Sequence, residues 1–270
     1  MYCCKRVQET SVEVTFMDSV LSIRDVSIQI RNQQLLQNIS FDIGEGEVVL
    51  LSGANGIGKS SLLKSILRLD NEGKTINGEI IVRGFGDILK LNSAEIQKFR
   101  SRIAYVQQRD EYAEMGNIQV KDIISESGQP SSGKMLSTSE VNDLIDEWIP
   151  RHHDNRRIFD AKSKPAKFSG GEQRLLSVLS VIATRPNAEL LIVDEPLNNL
   201  DFINARNISN LINRVIRDNP QMAVLMISHC RIFPFITREI KLTPGGIEEV
   251  PGPYTCHSCF GEHDDEGFYK

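Results

Sequence analysis

The chain has 270 residues, a formal net charge of −5 and a hydrophobic content of 40%. This leaves room for one large α/β domain or two small ones, and the mild acidity provides no broad basic face to follow a nucleic-acid backbone, so nucleic acid is excluded as the expected partner. No apolar run reaches the roughly 18–20 residues that span a bilayer, Met1 to Arg6 lacks the apolar core of a signal peptide, and five cysteines without a regular framework fit reduced thiols in a cytosolic compartment.

Residues 1–17 are weakly patterned and read as an N-terminal tail. From Val20 to Ile23, Val26 to Ile30 and Ile39 to Ile43, apolar and polar residues alternate, the period of half-buried antiparallel strands. A β-subdomain is therefore expected first. Gly44 to Glu47 turns the chain into a buried strand, Val48 to Leu51, and Leu62 to Leu67 is helical. Between them stand Gly53, Ala54, Asn55, Gly56, Ile57, Gly58, Lys59, Ser60 and Ser61, the pattern G-x-x-x-x-G-K-[ST]. Glycines at such a strand-to-helix junction let the backbone curl so that N–H groups point inward, and the helix N-terminus adds its positive dipole end. In this pattern Lys59 sits on the β and γ phosphates of a nucleotide and Ser60 ligates Mg²⁺.

Asp70 to Gly78 reads as a loop, Glu79 to Gly84 as an edge strand, and Asn92-Ser93-Ala94-Glu95 as a capping box opening a helix to about Arg100. Ile103 to Val106 is strand-like and delivers Gln107 and Gln108 to its end, where ligand-facing residues of open α/β sheets lie. Gln107 leaves the register of Gln108 open by one residue. Residues 110–167 turn helical and polar. Ser137 to Glu140 is a second capping box, and Val141, Leu144, Ile145 and Trp148 form an apolar stripe that Pro150 ends. This stretch is expected to be a small helical subdomain hung on the sheet. Ser169, Gly170, Gly171 and Glu172 precede an apolar helix that stops before Pro186. Leu190 to Val193 has the length of a strand buried on both faces and ends in Asp194-Glu195, two carboxylates that are costly there unless they meet a cation. Pro196 to Asp201 is a loop, with Asp201 placed to cap the next helix. The buried strand Ala223 to Ile227 then delivers Ser228 and His229.

Taken together, in this order, these stretches resemble the ATP-binding subunit of an ATP-binding-cassette (ABC) system over about residues 20–250. The matching pieces are GANGIGKSS at Gly53–Ser61 (Walker A), Gln108 (Q-loop), FSGGEQ at Phe168–Gln173 (signature), LLIVDEP at Leu190–Pro196 (Walker B with the following glutamate), NNLD at Asn198–Asp201 (D-loop) and His229 in LMISH (switch histidine). The signature between the two Walker motifs separates this family from other phosphate-loop ATPases. The resemblance implies an α/β fold, a P-loop NTPase core with a mainly parallel sheet, an N-terminal antiparallel β-subdomain and an inserted helical subdomain. It places the ATPase domain at residues 18–250 and leaves residues 251–270 as an acidic tail.

The resemblance also implies roles. Asp194 would hold the Mg²⁺ shell together with Ser60 and Gln108, and Glu195 would accept a proton from the attacking water. His229 and Gln108 would reach the γ-phosphate end. Ser169, Gly170, Gly171 and Glu172, with Asp201, would face ATP held by a second subunit, so that the site is completed only in a head-to-tail dimer. The expected cofactors are ATP and Mg²⁺. The expected partners are a second ABC subunit and separate transmembrane permease subunits, docked on the helical insert and on Arg109 to Met115. The expected location is cytoplasmic, peripheral on the inner face of a membrane, and the chain leaves no room for a folded regulatory domain. One departure from the family concerns the base: the aromatic residue that usually stacks on adenine falls near Ile30 or Arg31, neither aromatic, and Arg31 offers a guanidinium plane instead.

The expected function is thus that of a transporter ATPase subunit. A second expectation is a soluble ABC ATPase that powers assembly, as in iron–sulfur cluster biogenesis, with which the Asp70 to Gly78 loop and the tail thiols are compatible. Cys256 and Cys259 have C-x₂-C spacing, but a structural zinc site needs four ligands and only one such pair exists, so an acidic tail is the plainer reading.

Overall fold

The computed structural model describes residues 19–31, 33–69, 73–108, 112, 116–126, 136–152, 154–185, 187–229 and 233–252. The tail 1–17, all five cysteines, and Arg109 to Met115 apart from Tyr112 lie outside the described residues.

The described residues open with β1 (Ser19–Ile30) and β2 (Gln33–Gly44), which pair antiparallel. With β4 (Lys74–Val82) and the short β5 (Gly86–Asp87) they form an antiparallel sheet in the order β2-β1-β4-β5. The expected loop to Gly78 is therefore shorter than its composition implies. Gly78 lies within β4 at φ 92°, opposite the irregularity where β1 shifts register between Arg24 and Ser27. A Cβ there would stand 2.5 Å from the Arg24 and Asp25 carbonyl oxygens, so this glycine marks a bulge rather than a turn.

The second sheet holds β3 (Val48–Gly53), β6 (Ile103–Val106), β7 (Leu190–Asp194), β8 (Ala223–Ile227), β9 (Arg238–Thr243) and β10 (Gly246–Val250), in the order β10-β9-β3-β8-β7-β6. The four strands β3, β8, β7 and β6 run parallel, β9 joins them parallel to β3, and only β10 is antiparallel. Successive side chains of these strands enter opposite cores. Val48 and Leu50 of β3 join one hydrophobic cluster, while Val49 and Leu51 join the other. This is why the runs Leu190 to Val193 and Ala223 to Ile227 are apolar at every position.

One core is covered by α1 (Lys59–Ile66), α2 (Ser93–Ser101) and the antiparallel sheet. The other lies under α3 (Val120–Glu126), α4 (Thr138–Trp148), α5 (Gly170–Thr184) and α6 (Phe202–Asp218). Both expected capping boxes form, at Asn92/Glu95 and at Ser137/Glu140. On α4, Val141 and Ile145 are buried while Leu144 and Trp148 are half-buried. The Arg214 guanidinium of α6 stands 3.9 Å from the centre of the Trp148 ring, and the same arginine pairs with Glu147 at 3.0 Å. The insert is thereby fastened to α6 by a cation–π contact as well as by burial.

Candidate active site

Parallel strands share one C-terminal edge, and that edge collects residues far apart in sequence. Gly53 ends β3, Asp194 ends β7, Ser228 and His229 follow β8, and Gln107 and Gln108 follow β6. In the loop after β3, Gly53, Gly56 and Gly58 take φ values of 138°, 77° and 115°, a conformation that side-chain-bearing residues rarely adopt. Gly58 then serves as the N-cap of α1 with no side chain over its free N–H groups. Lys59 is buried, and its Nζ donates to the carbonyl oxygens of Gly53 at 2.8 Å and Ala54 at 3.1 Å, so the ammonium is folded back across the loop.

Two successive carboxyl groups, Asp194 and Glu195, stand at the C-terminal end of β7. Asp194 is 4% exposed, and its Oδ1 is buried without a hydrogen-bond partner. Burial, then the adjacent Glu195 charge, pushes its pKa up to about 6, against the opposing pull of Lys64, Arg174 and Lys59. Glu195 has φ 48°, and its N–H continues the ladder by donating to the Ile227 carbonyl at 2.9 Å. That bend turns its side chain toward His229, whose Nε2 lies 3.1 Å from Glu195 Oε1. His229 itself is half exposed.

The signature stretch is carried on α5. Ser169 accepts a hydrogen bond from the Glu172 N–H at 3.3 Å, and the Glu172 carboxylate accepts one from the Ser169 N–H at 2.8 Å, a third capping box. Asp201 caps α6 as expected, its Oδ1 accepting from the Asn204 N–H at 2.9 Å while its Oδ2 accepts from Asn204 Nδ2 at 2.6 Å. The structure brings these two termini together. A Cβ on Gly171 would stand 2.3 Å from Asn204 Cγ, whereas one on Gly170 would meet nothing within 4 Å. Of the two residues at the expected base position, Ile30 is half-buried beside the core and Arg31 is exposed at φ 46° in the turn between β1 and β2.

Sequence reasoning missed two of the residues that order this site, Asn204 and Arg174. Arg174, 4% exposed on α5, donates to the backbone oxygens of Gln107 and Gln108. Its local signal in the sequence is a cation directly before Leu175 and Leu176 on an apolar helix.

The family model for ABC transporters matches residues 36–198, more than half of the chain. The chain belongs to this family. The ATP-binding protein LolD of a lipoprotein-releasing system, from Koribacter versatilis, is 30% identical over 225 residues, 80% of this chain and 92% of that protein. The phosphonates import ATP-binding protein PhnC of Mycoplasma capricolum is 27% identical over 235 residues, 81% of this chain and 89% of the relative. A solved dimeric bacterial ABC transporter cassette superposes with a TM-score of 0.62 at 20% identity, covering 86% of this chain and 99% of that one, which shows the shared fold. The cassette is an ATP-binding, ATP-hydrolysing subunit of the ABC transporter kind. These relatives are transporter subunits, so the assembly-ATPase expectation is not favoured. Among the described residues no helix is long and apolar enough to cross a membrane.

Proposed function

We propose that this cassette drives transport through separate transmembrane subunits by closing on a second cassette around ATP. In this reading Gly53 to Ser61 holds the phosphates, and Lys59 leaves the Gly53 and Ala54 carbonyls to meet them. The observation that carries the reading is the Asp194–Glu195–His229 cluster at the strand edge, a buried carboxyl beside a second one aimed at an imidazole 3.1 Å away. Glu195 takes the proton of the attacking water, and His229 orients Glu195 and the γ-phosphate end.

Mg²⁺ fits the residues present. Asp194 Oδ1 is a buried anion acceptor without a hydrogen bond, Ser60 and Gln108 add only oxygen ligands, and so small an all-oxygen set suits a cation that takes most of its shell from water and phosphate. When bound, the ion would neutralise charge on the phosphates.

The N-terminus of α5, with Ser169, Gly170, Gly171 and Glu172, faces the ATP of the partner cassette, and Asp201 holds the adjoining end of α6. The open space at Gly170 supports this, since a close approach by a ligand needs it. The LolD and PhnC relatives are named for different cargoes, lipoprotein release and phosphonate import, on similar cassettes. Cargo is accordingly set by the transmembrane partner, and the cassette works at the membrane face on which that partner exposes its docking surface. The ATPase domain takes in residues 18–250, with the helical insert as part of the docking surface. The test is a gentle-detergent pull-down of the tagged chain from its native cells, read by mass spectrometry. A polytopic membrane protein in the eluate is the expected result, and soluble partners alone would move the reading to an assembly ATPase.

A further inference from the structure

Arg174 is a cation almost wholly removed from water, a placement that is costly unless the charge is hydrogen-bonded, and both terminal nitrogens of its guanidinium donate to carbonyl oxygens. Its fork reaches two successive carbonyls, those of Gln107 and Gln108, at the end of β6. A planar guanidinium suits that geometry because two donors leave it side by side in fixed directions. The bonds span more than sixty residues of sequence and join elements with different duties. β6 presents Gln108 to the nucleotide edge, and α5 begins at the Ser169–Gly171 stretch one turn before Arg174. An α-helix is stiff over one turn, so a displacement at its N-terminus carries Arg174 with it.

We propose that Arg174 is a positioning residue that ties the Gln107 and Gln108 peptide groups to the helix bearing the signature stretch, so that both ligand-facing segments move as one body. This rests on the role given to Gln108 above. Its consequence is that turnover, which needs both segments in place at once, depends on Arg174 far more than binding to the phosphate loop does. Among the described residues, Arg174 gives the partner-facing and the nucleotide-facing segments a direct side-chain link within one chain.

The test is steady-state ATP hydrolysis by the full chain carrying Arg174→Met, Arg174→Lys, Gln108→Ala, or Arg174→Met with Gln108→Ala. Arg174→Met keeps much of the buried volume, and the expected result is a kcat lower by about 10- to 30-fold with KM changed by less than about threefold. Arg174→Lys keeps the charge but reaches one carbonyl, so it restores part of kcat; it also stands in if the methionine variant does not fold. Because Arg174 acts through Gln108, the double variant is expected to match Gln108→Ala alone within about twofold. Two independent losses that multiply in the double variant would overturn the proposal, as would a lowered melting temperature with kcat intact. Full turnover in Gln108→Ala would instead remove the role of Gln108, and this proposal with it.

Discussion

At Asp194 the fold holds a carboxyl group with one oxygen buried and unbonded, and burial raises its pKa from 3.8 to about 6. The sign of the effect on stability follows. Well below pH 4 the group is neutral folded or unfolded and costs nothing; between about 4 and 6 the unfolded chain ionises while the folded one stays neutral, so stability falls, and above 6 the folded group ionises too and the loss levels off. The penalty at neutral pH is on the order of 3 kcal/mol. Asp194→Asn, read by thermal melts of the nucleotide-free and Mg²⁺-free chain, is therefore expected to melt about 6–12 °C higher than the natural protein at pH 8, with the gap closing as pH falls from 6 toward 4. A pH-independent difference would show that burial of the charge is not its source. The same residue is where proposed function and stability conflict, which is the pattern expected of a carboxylate kept for a cation.

Among the elements, α5 and α6 meet at their N-terminal turns, and the two signature glycines differ in what they touch. Gly171 abuts Asn204, whose side-chain amide donates to Asp201 Oδ2 while its backbone N–H donates to Oδ1, so that side chain does not swing away freely. Gly171→Ala is expected to destabilise the fold by about 1–3 kcal/mol, and a further Asn204→Ala to recover most of that loss in a denaturant titration. Gly170→Ala has room and is expected to leave the melt unchanged while reducing hydrolysis, because the space it fills is proposed to belong to the partner's nucleotide. Equal stability losses at the two positions would contradict this division. The contact also shows the limit of reading elements from sequence. The caps at Asn92, Ser137 and Asp201 were legible because a cap and its partner stand three residues apart. The Gly171–Asn204 packing and the Arg174 bonds join positions tens of residues apart and leave no local mark. The β9–β10 hairpin was passed over as well: Arg238 to Thr243 alternates only weakly, and its pairing with β3 is a long-range choice.

For the whole molecule, the parallel order β3-β8-β7-β6 is what makes the scattered motifs one site, by placing four strand ends on a single edge. The phosphate loop and the strands Leu190 to Val193 and Ala223 to Ile227 were legible because burial on both faces writes a continuous apolar run. Where the first sheet begins and ends was not, since Gln33, Gln34 and Lys74 are polar residues drawn into strands by their neighbours. The signature stretch is proposed to meet the ATP of a second cassette. Glu195→Gln keeps the shape at His229 and removes the proton acceptor, so it is expected to hold that closed state. The decisive measurement is the molar mass of Glu195→Gln by sedimentation, with and without ATP and Mg²⁺. The expected result is a monomer without nucleotide and a dimer with it; a variant that binds ATP and remains monomeric would contradict closure of two cassettes around ATP.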